Sequence, residues 1–101
     1  FDFASDFSEG FAAVMVGTKW GYINAEGKIA IEPQFEFASD FSEGFAAVKQ
    51  NGKTSFIDKT GKLLLSPQFD SVGAFSEGLA WVQTGDRWRY LQPDGSFLKF
   101  Q

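Results

Sequence analysis

Short, largely apolar stretches recur along the chain, separated by glycine-containing segments, and their equivalent residues in the copies fall on two faces with a period of two. Alternation with a period of two indicates a β-strand, because successive side chains of a strand point to opposite faces of the sheet. The first set of predicted strands is Phe11–Val16, Phe45–Gln50 and Leu79–Thr84. Both faces of these strands are partly apolar, and one face continues with Met15, Lys49 and Gln83, so we expect the strands to be buried in their first half and exposed at the far end.

Two further strands follow each strand of the first set. The second set is Trp20–Asn24, Thr54–Asp58 and Trp88–Gln92, and the third set is Ile29–Ile31, Leu63–Leu65 and Phe97–Lys99. Pro33 and Pro67 are expected to end the third strands, since proline cannot donate to a ladder. Hairpin turns are predicted at Gly17-Thr18-Lys19, Asn51-Gly52-Lys53 and Gly85-Asp86-Arg87, with glycine-containing turns again before each third strand.

The same unit of 34 residues fills the chain three times, as repeats 1–34, 35–68 and 69–101, the last one residue shorter. Residues 1–14 and 35–48 differ only where Asp2 is replaced by Glu36. Each unit opens with a segment that we interpret as a loop or single helical turn, closing on Gly10, Gly44 or Gly78. A fixed period of this length is typical of stacked repeats, so Phe7, Phe41 and Phe75 are expected to have like surroundings.

The predicted fold is therefore all-β, a tandem array of three 34-residue three-stranded antiparallel meanders forming a single repeat domain over residues 1–101. The alternative is a closed nine-stranded barrel with pseudo-threefold symmetry. Copy one is nearly the twin of copy two, although terminal repeats usually differ from internal ones. We therefore expect the chain to be part of a longer one, or its first face to be covered by another domain, by a second copy of the chain, or by its own third repeat in a ring.

Four motifs follow one another along the chain, namely Lys19-Trp20-Gly21-Tyr22-Ile23-Asn24, Glu26-Gly27-Lys28, Pro33-Gln34-Phe35 and Phe41-Ser42-Glu43-Gly44. In these motifs the sequence resembles the WG-repeat family of bacterial proteins, also called KWG repeats, and the resemblance covers the whole chain in three copies. The Trp-Gly pair itself is replaced by Thr54-Ser55 in copy two and Trp88-Arg89 in copy three. The resemblance implies β-rich repeats, often attached to other domains and mostly without an assigned function. It brings no catalytic residues.

Composition excludes several classes of function. The 13 phenylalanines indicate a packed protein, and a net charge of −4 disfavours nucleic-acid binding, which depends on neutralising phosphates. Cysteine and histidine are both absent, which removes Cys/His zinc sites and nucleophiles activated by histidine, and leaves the compartment open. No apolar run approaches the ~18 residues of a membrane span, so no membrane insertion is expected. We predict no cofactor and no metal.

Three glutamates, Glu9, Glu43 and Glu77, recur with the period of the repeat and are expected to form an acidic row along one side of the stack. Such a row is a candidate partner-binding site for calcium or a basic protein. The structural alternative is turn chemistry with a solvated acid, and we prefer it because repeat positions recur first for structural reasons.

Three tryptophans, Trp20, Trp81 and Trp88, are the other candidate partner-binding residues, as a stacking surface for a sugar or a peptide. Aromatic side chains are also the usual filling of a small β core, and we favour that interpretation. Trp81 occurs only in copy three and is the least explained. An enzyme would need a carboxylate pair such as Glu26 with Glu32 or Asp86 with Asp94, and neither pair recurs between copies.

The leading functional hypothesis is thus a noncatalytic repeat module for protein–protein interaction or structural scaffolding. It includes self-association into a homo-oligomer or a head-to-tail filament. Carbohydrate binding through exposed aromatic residues is the alternative, and an enzyme comes third.

Overall fold

The computed structural model describes residues 3–98, which form ten β-strands and, within that range, no helix. The strands are β1 (Phe3–Ala4), β2 (Phe11–Val16), β3 (Lys19–Asn24), β4 (Ile29–Phe35), β5 (Phe37–Ala38), β6 (Ala46–Gln50), β7 (Lys53–Ile57), β8 (Ser71–Val72), β9 (Ala80–Thr84) and β10 (Arg87–Leu91). The all-β prediction is confirmed.

The strands form one separate sheet in each repeat. Their orders are β1-β2-β3-β4, β5-β6-β7 and β8-β9-β10, and every described pairing is antiparallel. Three tandem meanders are therefore present, and the described sheets do not close into the alternative barrel. The array measures 46 × 25 × 19 Å, the elongated shape of a stack.

A two-residue turn connects the two long strands of each sheet. Val16 pairs with Lys19, Gln50 with Lys53, and Thr84 with Arg87. In copy two the turn is Asn51-Gly52, with φ of 52° and 79°, the positive values that the type I′ hairpin needs. All three predicted hairpins are confirmed, because this turn chemistry is local and can be recognised in sequence.

The predicted third strand is complete in copy one only. There β4 runs through Pro33 to Phe35 with irregular register, so the expectation that Pro33 ends the strand was wrong. Proline is tolerated because β4 pairs on one side only, with β3. In copies two and three isolated bridges at Leu63 and Phe97 replace the strand, and Lys99 of that prediction lies outside the described residues.

One position of the second strand differs between the copies, and this difference explains why only copy one has a complete third strand, β4. A Cβ on Gly21 would lie 2.5 Å from the carbonyl oxygen of Ile31 and 2.7 Å from the nitrogen of Pro33, so the bare glycine lets β4 approach closely. Ser55 has the same place in copy two, is fully buried, and donates from its hydroxyl to the carbonyl oxygen of Leu65 at 2.6 Å. That side chain fills the space that a close third strand would need.

The opening segment of each repeat is a short strand followed by a tight turn, and not the helical turn that we allowed for. In copy one β1 pairs with β2, and Ser8 and Phe11 then exchange two backbone hydrogen bonds around Glu9-Gly10. Copies two and three repeat this arrangement. The loop closing on Gly10, Gly44 and Gly78 is present, and each of these glycines has the positive φ that was expected. The short strand was missed because strands of two residues show no detectable alternation.

The sheets stack face to face, and the core lies between them. The face of β2 and β3 that carries Phe11 and Tyr22 packs on buried residues of copy two, namely Ala38, Phe41, Ala46, Val48 and Ile57. The corresponding face of copy two packs on Phe69, Phe75, Ala80, Val82 and Leu91 of copy three. Each repeat therefore shields one apolar face of the repeat before it, as stacking requires.

The expectation that the three equivalent phenylalanines share one environment holds for two of them. Phe41 and Phe75 are 1 % and 2 % exposed, whereas Phe7 is 53 % exposed. The ring of Phe41 lies against Phe11 and Tyr22 of the preceding repeat. Phe7 differs because no described repeat precedes it, so the same local sequence ends up on the surface.

Candidate functional site

The Ser-Glu-Gly turns form a connected ladder along one side of the stack. The carboxylate of Glu9 accepts hydrogen bonds from the backbone N–H groups of Glu43 at 2.6 Å and Gly44 at 2.8 Å. The carboxylate of Glu43 accepts the corresponding two bonds from Glu77 at 2.6 Å and Gly78 at 2.9 Å. The predicted acidic row therefore exists, and two of its three members join one repeat to the next.

The backbone of these turns is strained, and the hydrogen bonds of the ladder stabilise it in that conformation. Glu9, Glu43 and Glu77 have φ of 54°, 52° and 53°, in a left-handed region that disfavours residues with a Cβ. The following glycines, Gly10 and Gly44, both have φ of 87°. Together the two central residues present adjacent N–H groups on one side of the turn, an arrangement that suits a carboxylate.

The first carboxylate of the ladder is held in its charged form. Hydrogen bonds from Gly44 and then Glu43, together with the Lys59 ammonium 3.5 Å away, lower the pKa of Glu9, although partial burial opposes them. A lowered pKa in the folded state means that the ionised carboxylate favours folding. That contribution is present above the unfolded value of 4.5 and is lost as pH falls through the folded pKa.

We expect Glu9→Gln to destabilise the fold by about 1–2 kcal/mol at pH 7, because one charge-assisted hydrogen bond becomes a neutral one and the other is lost, since the amide NH2 group cannot accept from a backbone N–H. The partial exposure of the site limits the loss. The difference from the unsubstituted chain should shrink as pH falls below 4.5. Urea unfolding between acidic and neutral pH measures this. Glu26→Gln, in an exposed turn, is the matched control, and a Glu9→Gln deficit unchanged by acid would contradict the assignment.

Serine and tyrosine side chains add further polar contacts at the junctions. The Ser8 hydroxyl donates to the carbonyl oxygen of Phe41 at 2.7 Å, and the Ser42 hydroxyl donates to that of Phe75 at 2.9 Å. The buried Tyr22 hydroxyl donates to the carbonyl oxygen of Ser39, and burial raises the pKa of this phenol. Each junction thus combines aromatic packing with hydrogen bonds to backbone groups of the next repeat.

The three tryptophans have different surroundings. Trp20 is half-buried and lies against Phe37 of copy two, with ring centroids 6.2 Å apart. Trp81 and Trp88 contact each other in copy three, with centroids 5.0 Å apart, and Trp88 is 60 % exposed. The structure therefore brings Trp81 and Trp88 together, beside the 42 % exposed Tyr90, and leaves Trp20 at an internal junction.

Trp81 is explained by a paired change within copy three. Copies one and two carry a serine whose hydroxyl oxygen accepts a hydrogen bond from the backbone N–H of an alanine, as Ser5 does from Ala13 at 3.0 Å. Copy three has Gly73 and Trp81 at these two positions. A Cβ on Gly73 would lie 2.1 Å from the indole nitrogen, so the indole occupies the volume of the missing serine side chain.

Comparison with known proteins identifies the family. The model of the WG containing repeat matches residues 1–20, 20–53 and 55–88. The chain belongs to the WG-containing repeat family. No curated protein and no solved structure matches it. The second and third matches start in the second strand of our unit, at residues 20 and 55, so each of these two spans two neighbouring sheets of the stack, whereas the first match lies within the first sheet.

Gly21, the glycine that gives the WG repeat its name, has a structural role in copy one. It allows the close approach of β4, whereas Ser55 and Arg89 take its place in copies two and three. Arg89 lies over the ring of Phe97, with the guanidinium carbon 3.7 Å from the ring centroid. Both substitutions accompany the loss of a continuous third strand.

The described part of the chain shows neither a closed pocket nor a cluster of acidic side chains suited to a metal ion. Among residues 3–98 there is no helix of the length and apolar character that crossing a membrane requires. The features that stand out are the carboxylate ladder and the aromatic face at the end of copy three. The glutamates and the tryptophans could be recognised in the sequence, but the contacts of the ladder could not, because these join positions 34 or 35 residues apart.

Proposed function

We propose that this WG-repeat chain is a noncatalytic interaction module that binds a protein through the aromatic face at the end of copy three. The face consists of Leu79, Trp81, Trp88 and Tyr90 on β9, β10 and the turn before them. The exposure of Trp88, at 60 %, is the observation that carries the proposal, because monomeric proteins rarely leave clustered large aromatic side chains in water.

The equivalent face of the other repeats supports the same conclusion. In copies one and two, the residues at these positions pack on the next repeat, Phe11 and Tyr22 against Phe41 in one case. The fold therefore already uses this face to bind a β-sheet surface. Tryptophan and tyrosine are enriched at the centres of protein interfaces, since they bury a large area and lose little conformational entropy.

A carbohydrate is the second candidate ligand, favoured by the neighbouring indoles of Trp81 and Trp88. Aromatic side chains that combine an apolar ring with a polar edge suit a binding surface that stays in partial contact with water. Tryptophan fluorescence during titration with sugars, together with a glycan array, tests this candidate. No sugar-dependent change in emission, or the same binding by Trp88→Ala, would exclude it.

The experiment for the protein-binding proposal compares the unsubstituted chain with Trp88→Ala as baits, followed by reconstitution of any complex from purified components. We expect binding to weaken at least tenfold in Trp88→Ala, the usual effect of removing a central aromatic residue. Phe37→Ala is the matched control, because Phe37 is also exposed but lies at an internal junction. The proposal fails if no purified protein distinguishes Trp88→Ala from the unsubstituted chain.

A further inference from the structure

The two ends of the stack carry opposite halves of the junction that joins neighbouring repeats. An internal junction has three parts. The glutamate carboxylate of one repeat accepts hydrogen bonds from two N–H groups of the next, and a serine hydroxyl of the first repeat donates to a phenylalanine carbonyl oxygen of the next. The ring of that phenylalanine packs on the sheet of the first repeat. The junction between copies two and three has the same three parts. Each end of the stack therefore shows one half of a contact that is made twice inside the chain.

The end of copy three presents the half of the junction that contains the glutamate carboxylate. Glu77 holds the same strained backbone, with φ of 53°, as the two glutamates that bridge repeats. Among residues 3–98 no N–H group donates to its carboxylate, and the Ser76 hydroxyl has no acceptor there. The Glu77 side chain is exposed, so within the described range its carboxylate makes none of the contacts that the carboxylates of Glu9 and Glu43 make.

The start of copy one presents the other half of the junction, which contains the two N–H groups that would donate to a carboxylate. The N–H groups of Glu9 and Gly10 have the positive-φ geometry of Glu43 and Gly44, yet within residues 3–98 neither donates a hydrogen bond. The Phe7 ring, whose counterparts are buried, is 53 % exposed beside them. Adjacent backbone N–H groups attract an anion, and the chain shows with Glu43 and Gly44 that a glutamate fits.

We propose that a second copy of this chain docks head to tail, with the Glu77 carboxylate of one copy on the Glu9 and Gly10 N–H groups of the next. This inference rests on the proposed function and names its partner. The Phe7 ring of the incoming copy takes the position that Phe41 and Phe75 have at the internal junctions, on the face that carries Leu79 and Tyr90. The Ser76 hydroxyl then donates to the Phe7 carbonyl oxygen.

Trp81 makes the junction between copies weaker than the internal ones. The corresponding residues, Ala13 and Ala47, are small, whereas Trp81 spreads its indole across the face between Gly73 and Trp88. The sheets cannot approach as closely over that indole, which favours reversible association. Because the contact joins different surfaces of the two copies, it does not close at a dimer and can continue as a filament.

The test isolates one junction by disabling the other end of each component. The observed chain is labelled with ¹⁵N and carries Glu77→Gln, so that only its start can bind. The unlabelled titrant carries Phe7→Ala, so that only its end can bind, and it is added up to about 1 mM to include weak contacts. We expect the amide proton of Gly10 to move toward the resonance position of Gly44, which already donates to a carboxylate.

Two further titrants make the result specific. Phe7→Ala with Glu77→Gln should bind at least tenfold more weakly, because it lacks the carboxylate, and Phe7→Ala with Glu26→Gln should bind like the first titrant. The inference is overturned if the Gly10 resonance stays in place with every titrant, or moves equally with the Glu77→Gln titrant. The proposed function would survive either result if a purified heterologous protein still distinguishes Trp88→Ala, and it would fall if none does.

Discussion

Phe41→Ala is expected to destabilise the protein by about 3–5 kcal/mol, the usual cost of removing a buried phenyl ring. Phe41 is 1 % exposed, and its ring centroid lies 4.8 Å from that of Tyr22 and 5.2 Å from that of Phe11. The substitution leaves a cavity between the first two sheets. The surrounding side chains are held by packing between the two repeats, so they cannot move to fill this cavity. Urea unfolding followed by tryptophan fluorescence measures the loss.

Phe7→Ala is the matched control, since it makes the same change at the equivalent position of copy one. Its ring is 53 % exposed, so the expected loss is below about 1 kcal/mol at concentrations where the chain is monomeric. The two residues have the same seven neighbours in sequence on their C-terminal side and differ in what stacks upon them. Equal losses in the two variants would contradict the stacked arrangement.

Gly21→Ala is expected to destabilise the protein by about 3 kcal/mol, the upper part of the range for overpacking. The added methyl group would meet three backbone atoms of β4, the nearest being the carbonyl oxygen of Ile31 at 2.5 Å, and backbone cannot rotate aside. We expect β4 to separate from β3, so that the amides of Ile29–Phe35 lose protection. Hydrogen exchange of those amides and urea unfolding check the two effects.

Ser55→Ala tests the same repeat position where a Cβ is already accommodated. It should cost only about 1 kcal/mol, through loss of the hydrogen bond from the Ser55 hydroxyl to the Leu65 carbonyl oxygen. If Gly21→Ala were as mild as Ser55→Ala, the close approach of β4 would not be the reason for glycine in copy one.

Local features of the chain were predictable because their causes lie within a few residues. The Asn51-Gly52 turn sets its hairpin through the positive φ that both residues tolerate, and the alternation along β2 sets which side chains share a face. The third strand was predictable only in part, because its length depends on whether Gly21 or Ser55 faces it from a neighbouring strand.

The candidate site depends on contacts between repeats. The sequence supplies Glu9, Glu43 and Glu77 at equal intervals, but the pairing of one carboxylate with the N–H groups of the next turn arises only when the sheets stack. Solvated acids were the expectation, and two of the three instead bridge repeats. The partner-binding roles predicted for these glutamates and for the tryptophans stay predictions.

The sequence by itself determined the repeat period, the all-β class, the hairpins and the WG-repeat family, because each depends on local turn chemistry and alternation. Only the tertiary structure decided which equivalent residues are internal and which are terminal. Phe7 and Phe41 have nearly the same sequence around them, yet one is in water and the other in the core. The difference comes from position in the stack, since burial depends on what packs against a side chain and not on the residues beside it.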